Sequence, residues 1–246
     1  VGALAFAWML LLHAPAELLY AWFAPKAAAV TAIGLQGSLD EGDAAALDFG
    51  GRARIVDLHW RFQPWRLPLL RCAFGIEGTS AGAHLSGRIE FSASDIALDR
   101  VQTSAPIKAA LTAAGLPFVP VDGLARLDLQ TLVFKNGFPA VVEGSLEGHG
   151  LAWLLTKEPV SLGDFKLGLS TDKDGILGHL EPLGGPLDLS GDVRLQADRS
   201  YDYDLKLKAR SGADPALTAL LQPLGQQDTQ GYYHLRNRGK LAGAAP

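Results

Sequence analysis

Gly78-Thr79-Ser80-Ala81-Gly82 fits G-x-S-x-G, the pattern of a hydrolase nucleophile elbow, in which a strained strand-to-helix turn exposes the serine hydroxyl. The flanking residues do not supply that turn. Arg71 to Glu77 alternates, as does Leu85 to Phe91, so the pentapeptide reads as a hairpin loop with no helix to follow. Asp172-Lys173-Asp174-Gly175 has the opening of a calcium loop, but the further oxygen ligands and the terminal bidentate glutamate are not in place, which leaves a polar turn between strands. The six histidines, His13, His59, His84, His149, His179 and His234, include no i, i+4 pair and carry no zinc signature; they read as surface strand or loop residues. Cys72 alternates with Phe74 and Ile76 on an apolar strand face, where a lone thiol behaves as a small buried hydrophobe and its thiolate is disfavoured. No catalytic, metal-ligating or cofactor-binding set emerges, and the chain reads as a non-enzyme. Trp60, Phe62, Trp65 and Trp153 are candidates for contact with a partner or lipid, although large aromatics on alternating strands are more often core.

The elements that position these residues follow from composition and periodicity. Hydrophobic residues make up 48% of the 246, with 28 Gly and 14 Pro, the balance of a folded and turn-rich protein. The net charge of -4, with no Lys/Arg run, argues against nucleic acid as a partner. One cysteine cannot form an internal disulfide, so the compartment has to be read from the N-terminus. Val1 to Leu12 is almost purely apolar, and as far as Ala24 only His13 and Glu17 are ionisable. Val1 to His13 reads as the outer part of a membrane span that begins upstream of Val1, with Phe6, Trp8, Leu10 and Leu11 in the bilayer. Pro15 to Ala24 then reads as an interfacial helix that places Tyr20, Trp22 and Phe23 among the headgroups. A cleaved signal peptide is the alternative. Either puts the rest of the chain outside the cytoplasm.

Beyond Val30 the period is two. Val56, Leu58, Trp60 and Phe62 alternate with Asp57, His59 and Arg61, and Tyr201, Tyr203, Leu205 and Leu207 alternate with charged neighbours. Leu187 to Ala197 and Tyr201 to Arg210 form the clearest hairpin. Two short helices are expected. One spans about Ala105 to Ala114; the other has Asp214 as N-cap, Pro215 in first position and a Leu217, Leu220, Leu221, Leu224 stripe, with Pro223 making its last turn irregular. Leu85-Ser86-Gly87 and Leu189-Ser190-Gly191 open two copies of a β-β-α-β pattern. The expected architecture is mainly β: an N-terminal helical anchor over 1–25, then a curved antiparallel sheet, open or partly closed, whose halves cover 26–135 and 136–246.

Several phrases, in order, resemble the type II secretion system protein N family. They are His13-Ala14-Pro15-Ala16-Glu17, Thr31 to Leu39, Leu58-His59-Trp60-Arg61-Phe62-Gln63-Pro64-Trp65, Gly212 to Leu217, Leu224-Gly225 and Gly231-Tyr232-Tyr233. Asp40 stands where the family often has Trp. The resemblance implies a single-pass inner-membrane accessory protein with a periplasmic domain, assisting export of folded proteins across the outer membrane. It implies contacts with inner-membrane platform proteins or the periplasmic part of the secretin, and no catalytic residues or cofactor. By a looser likeness the amphipathic strands also resemble AsmA-type envelope proteins, which implies an apolar β-groove that holds lipid.

Overall fold

The computed structural model describes residues 13–23, 31–48, 54–69, 71–80, 82–92, 95–113, 118–135 and 138–240. A short helix α1 (Ala16–Phe23) precedes β1 (Thr31–Gly37), β2 (Glu41–Asp48), β3 (Arg54–Phe62), β4 (Cys72–Ser80), β5 (Ala83–Phe91) and β6 (Asp95–Pro106). Helix α2 (Ile107–Ala113) leads into β7 (Val121–Lys135), β8 (Phe138–Trp153), β9 (Val160–Asp172), β10 (Gly175–Gly184), β11 (Leu187–Leu195) and β12 (Ser200–Ala209). Helix α3 (Pro215–Leu221) and β13 (Tyr233–Lys240) follow. Each strand pairs with the next, giving one 13-stranded antiparallel sheet in strict sequence order that is not closed.

The period-two pattern dictates two unlike faces. Cross-strand partners share a face, so Phe74, Ile89, Leu98, Leu132 and Val142 form one row across five strands, and Leu146, Leu167 and Leu180 form another. The opposite face carries Glu41, Arg61, Arg88 and Asp99 in one row, with Gly75 between the arginines. Among the described residues no second sheet covers the apolar face, with a direct consequence for burial. Among the described residues Leu217 is the one large side chain that is fully buried, while most apolar-face leucines are only half-buried.

Leu217 belongs to a helix that covers this face. Asp214 caps α3 by accepting the Ala216 N–H at 2.8 Å, and Pro215 occupies its first turn. Leu217 and Leu221 then seat on Phe165, Leu187, Leu207 and Tyr233. The helix touches both β9 and β12, and Cα atoms of β9 and β11 approach within 8 Å. Strands two apart in a flat sheet lie about 9.6 Å apart, so the sheet is bent here. Small residues on the bent face permit it: Gly178 lies between Leu169 and Val193, and Gly191 between Leu180 and Leu205. At Gly191 φ is +144, and an added Cβ would collide with the Asp204 carbonyl oxygen.

The two copies of the LSG pattern have the expected element order: β5, β6, α2, β7 and β11, β12, α3, β13. Helix α2 is shorter than expected, because Ala105 and Pro106 still pair with Ala125 and Leu124 at the end of β6. The irregular turn expected at Pro223 is a 3-10 turn over Gln222–Leu224. The 135/136 division falls in the hairpin between β7 and β8, and the sheet runs through it. No helix among the described residues is long and apolar enough to cross a membrane. Phe6, Trp8, Leu10 and Leu11 lie outside the described residues, and nothing is described of the Trp22 and Phe23 side chains.

Candidate functional site

The four candidate aromatics separate. Phe62 is buried and tilts against Phe74, with centroids 5.4 Å apart, and Phe74 meets Phe91 edge-on at 6.3 Å. Trp60 donates its indole N–H to the Ser38 carbonyl at 3.0 Å and packs over the bare Gly42. Trp153 packs against the cluster beneath α3. Trp65, on the 3-10 turn Pro64–Leu69, is 63% exposed. Three of the four therefore build the apolar face, and Trp65 alone is presented outward.

The other sequence candidates become structural contacts. Ser80 ends β4 and its hydroxyl donates weakly to the Arg54 carbonyl at 3.4 Å. Asp172 and Asp174 flank a hairpin turn and share Arg194, at 3.3 and 3.2 Å. His59, His179 and His234 each meet an aspartate, Asp43, Asp192 and Asp228, at 2.7–2.8 Å, and none joins a metal-type cluster among the described residues. Cys72 is half-buried and unbonded to another cysteine. Tyr20 accepts the Ala32 N–H at 3.0 Å, which ties α1 to the outer edge of β1.

The polar face contains a pocket of about 520 Å3 over β3 to β6. Alternation in β3 sends Leu58, Trp60 and Phe62 to the apolar face, and the residues between and after them, His59, Arg61 and Gln63, line this pocket. Arg61 and Arg88 are two strands apart, on either side of Gly75, whose missing side chain leaves the slot. Glu41 pairs with Arg61 at 2.8 Å, and that guanidinium holds the Glu41 carboxyl below its usual range.

Arg100 reaches the same pocket because β6 slips register between its pairings at Ser86 and Arg88. Its φ of +51 marks the irregularity, and a second left-handed residue, Asp57 at φ +50, marks another in β3. Leu98 and Val101, three positions apart, thereby both pack in the apolar cluster with Leu129 and Leu132. Strict alternation would have turned Arg100 to the side of Leu98. This pocket was missed by the sequence reading; the three-residue step in the apolar phase was the available signal.

Along β5 from Arg88, Glu90 is only 2% exposed. Arg71 donates to it at 3.3 Å, and Arg66 of the 3-10 turn lies 3.4 Å from the other oxygen, so the Pro64–Leu69 segment is pinned to β5.

Against this geometry stand the comparisons with known proteins. The family model described as type II secretion system (T2SS), protein N matches residues 28–236, which takes in the sheet from β1 into β13. The chain belongs to the type II secretion system protein N family. Type II secretion system protein N of Aeromonas hydrophila is 25% identical over 214 residues, covering 85% of this chain and 83% of that protein. No solved structure matches. For this protein N family member, the match extends across both the polar pocket and the α3 cluster.

Proposed function

We propose that the chain is a non-catalytic, inner-membrane accessory component of the type II secretion system that assists export of folded proteins across the outer membrane through protein–protein contacts. Family membership over 28–236 carries this reading. Its partners are other components of the apparatus, the inner-membrane platform proteins or the periplasmic part of the secretin. The apolar N-terminal sequence supports single-pass anchoring with the sheet in the periplasm. The docked helix α1 then sets the first strand beside the membrane.

Deletion of the gene, with complementation by the full chain, tests the function through the fraction of substrate reaching the medium. Lowered export restored by the chain supports it; unchanged export refutes it. Alkaline carbonate extraction tests the anchor, which fails if full-length native protein is released. A second reading is lipid binding in an AsmA-like groove, favoured by the apolar face, which no second sheet covers among the described residues. Phospholipid retained by the natively purified chain, absent after Leu167→Asp on that face, is its signature.

A further inference from the structure

The Pro64–Leu69 turn holds three large apolar residues, Trp65, Leu67 and Leu69, with Arg66 as its one charged side chain, and it presents Trp65 at 63% exposure. Its flanks are fastened. The Gln63 N–H donates to the Ala73 carbonyl at 2.8 Å, and Arg66 and Arg71 both reach the buried Glu90 carboxylate, at 3.4 and 3.3 Å. Successive residues on a 3-10 turn point about 120° apart, so drawing Arg66 down onto β5 turns Trp65 outward.

Exposure alone does not select what meets Trp65, because Phe118 before β7 and Leu155 after β8, at the other end of the sheet, are 95% and 74% exposed. The entry of the chain distinguishes the two ends. Pro15 bridges Ser38 in the β1–β2 turn; the Ser38 carbonyl accepts the Trp60 indole N–H at 3.0 Å, and the Asp40 carbonyl accepts the Phe62 N–H at 2.7 Å. The β1–β2 turn is thus level with the end of β3, and the Trp65 turn begins directly after Gln63. From Pro15 α1 runs back along β1, as the bond from Ala32 to Tyr20 shows, so the almost purely apolar sequence Val1 to Leu12 is attached at the Trp65 end. The other end is a whole strand away: the 16 residues of β8 span on the order of 50 Å. Charge selects nothing here, since Glu90 takes Arg66 and Arg71, and Lys135 stands opposite Asp95.

We propose that the Pro64–Leu69 turn is a second membrane contact, with Trp65 seated in the lipid headgroup layer beside the anchor. The proposal rests on the reading that Val1 to His13 spans the membrane, and it adds which end of the sheet meets the bilayer. An indole suits that layer, having an apolar body and a single N–H donor. A span alone fixes one point of the sheet, whereas a contact beyond β3 supplies another and stops the sheet from swinging about Pro15. Because the nearby charges are matched, the contact is apolar and does not require anionic lipid.

The test uses the full chain reconstituted in phosphatidylcholine vesicles that contain lipid brominated at the glycerol end of its acyl chains. The Trp65 contribution is the difference in emission between the parent and Trp65→Phe, and the other end of the sheet is read from the emission that Phe118→Trp adds. Brominated lipid should remove most of the Trp65 contribution and leave the Phe118→Trp contribution intact. Melting curves establish that the variants fold, and Trp65→Tyr carries the result if Trp65→Phe does not. A Trp65 contribution left intact in chains that float with the vesicles overturns the proposal and leaves the anchor standing. Equal quenching at both positions overturns it too, since both ends then touch lipid. A chain that does not float with the vesicles refutes the anchor, and this contact with it.

Discussion

Tyr20 of α1 accepts a hydrogen bond from the Ala32 N–H of β1 at 3.0 Å, so the side chain of a helix satisfies a donor on the open edge of the sheet. Edge strands are templates for pairing with other chains, and β1, with no charged residue along it, lacks the protection that His234, Arg236, Arg238 and Lys240 give β13. Tyr20→Phe should remove about 1 kcal/mol of local stability. The expected result is faster hydrogen exchange at the Ala32 amide with the rest of the sheet unaltered. Unchanged exchange there would mean that the phenol does not guard the edge.

The stripe on α3 is graded by the structure. Leu217 is fully buried and Leu221 nearly so, while Leu224 is 38% exposed. Leu217→Ala should cost about 2–5 kcal/mol, and Leu224→Ala less than about 1. Denaturant titration of both variants checks this, and equal losses would show that α3 does not cover the apolar face as described.

Glu90 predicts an asymmetry. Its carboxylate is buried, whereas the Arg66 and Arg71 side chains are 34% and 45% exposed and can be hydrated when unpaired. Removing both arginines strands a buried charge and should cost about 3–5 kcal/mol, while Glu90→Gln should cost only about 1. Chemical denaturation of the two variants decides between this order and its reverse.

Asp228 gives a pH dependence. The His234 hydrogen bond first, and the Tyr232 N–H second, hold its carboxyl down to about 2, below the ordinary 3.8. Because the folded value is depressed, the stabilisation is present above the ordinary value and is lost as pH falls through about 2. The protection of the Tyr232 amide, its exchange relative to the intrinsic rate at each pH, should therefore hold at pH 4 and fall towards pH 2. Carbon NMR of the Asp228 carboxyl should place its midpoint at about 2; a midpoint at the ordinary 3.8 would contradict the account.

Much of this arrangement was legible in the sequence because one rule governs it. Alternation in Tyr201 to Leu207 and in Leu58 to Phe62 predicted which side chains meet, and Asp214-Pro215 announced the start of α3. The alternation expected from Val56 breaks at Asp57, so that Ile55 packs in the apolar cluster instead. Where that rule breaks, legibility ended. Ala105 and Pro106 carry a helix-start signal but sit at the end of β6, where Pro106 pairs with Leu124. Arg61, Arg88 and Arg100 are far apart in sequence, and two register irregularities bring them to one pocket. Glu90 looked like any wetted strand residue until the Pro64–Leu69 turn folded over it.

Photo-crosslinking in cells tests most directly whether this sheet works through contacts with the secretion apparatus. A benzophenone amino acid at Ser86, beside the polar pocket, and another at Leu167, on the apolar face, sample the two surfaces. The account predicts that a probe forms an adduct with another type II secretion component, identified by mass spectrometry. Adducts confined to phospholipid at Leu167, with none to a secretion component from either position, would contradict it.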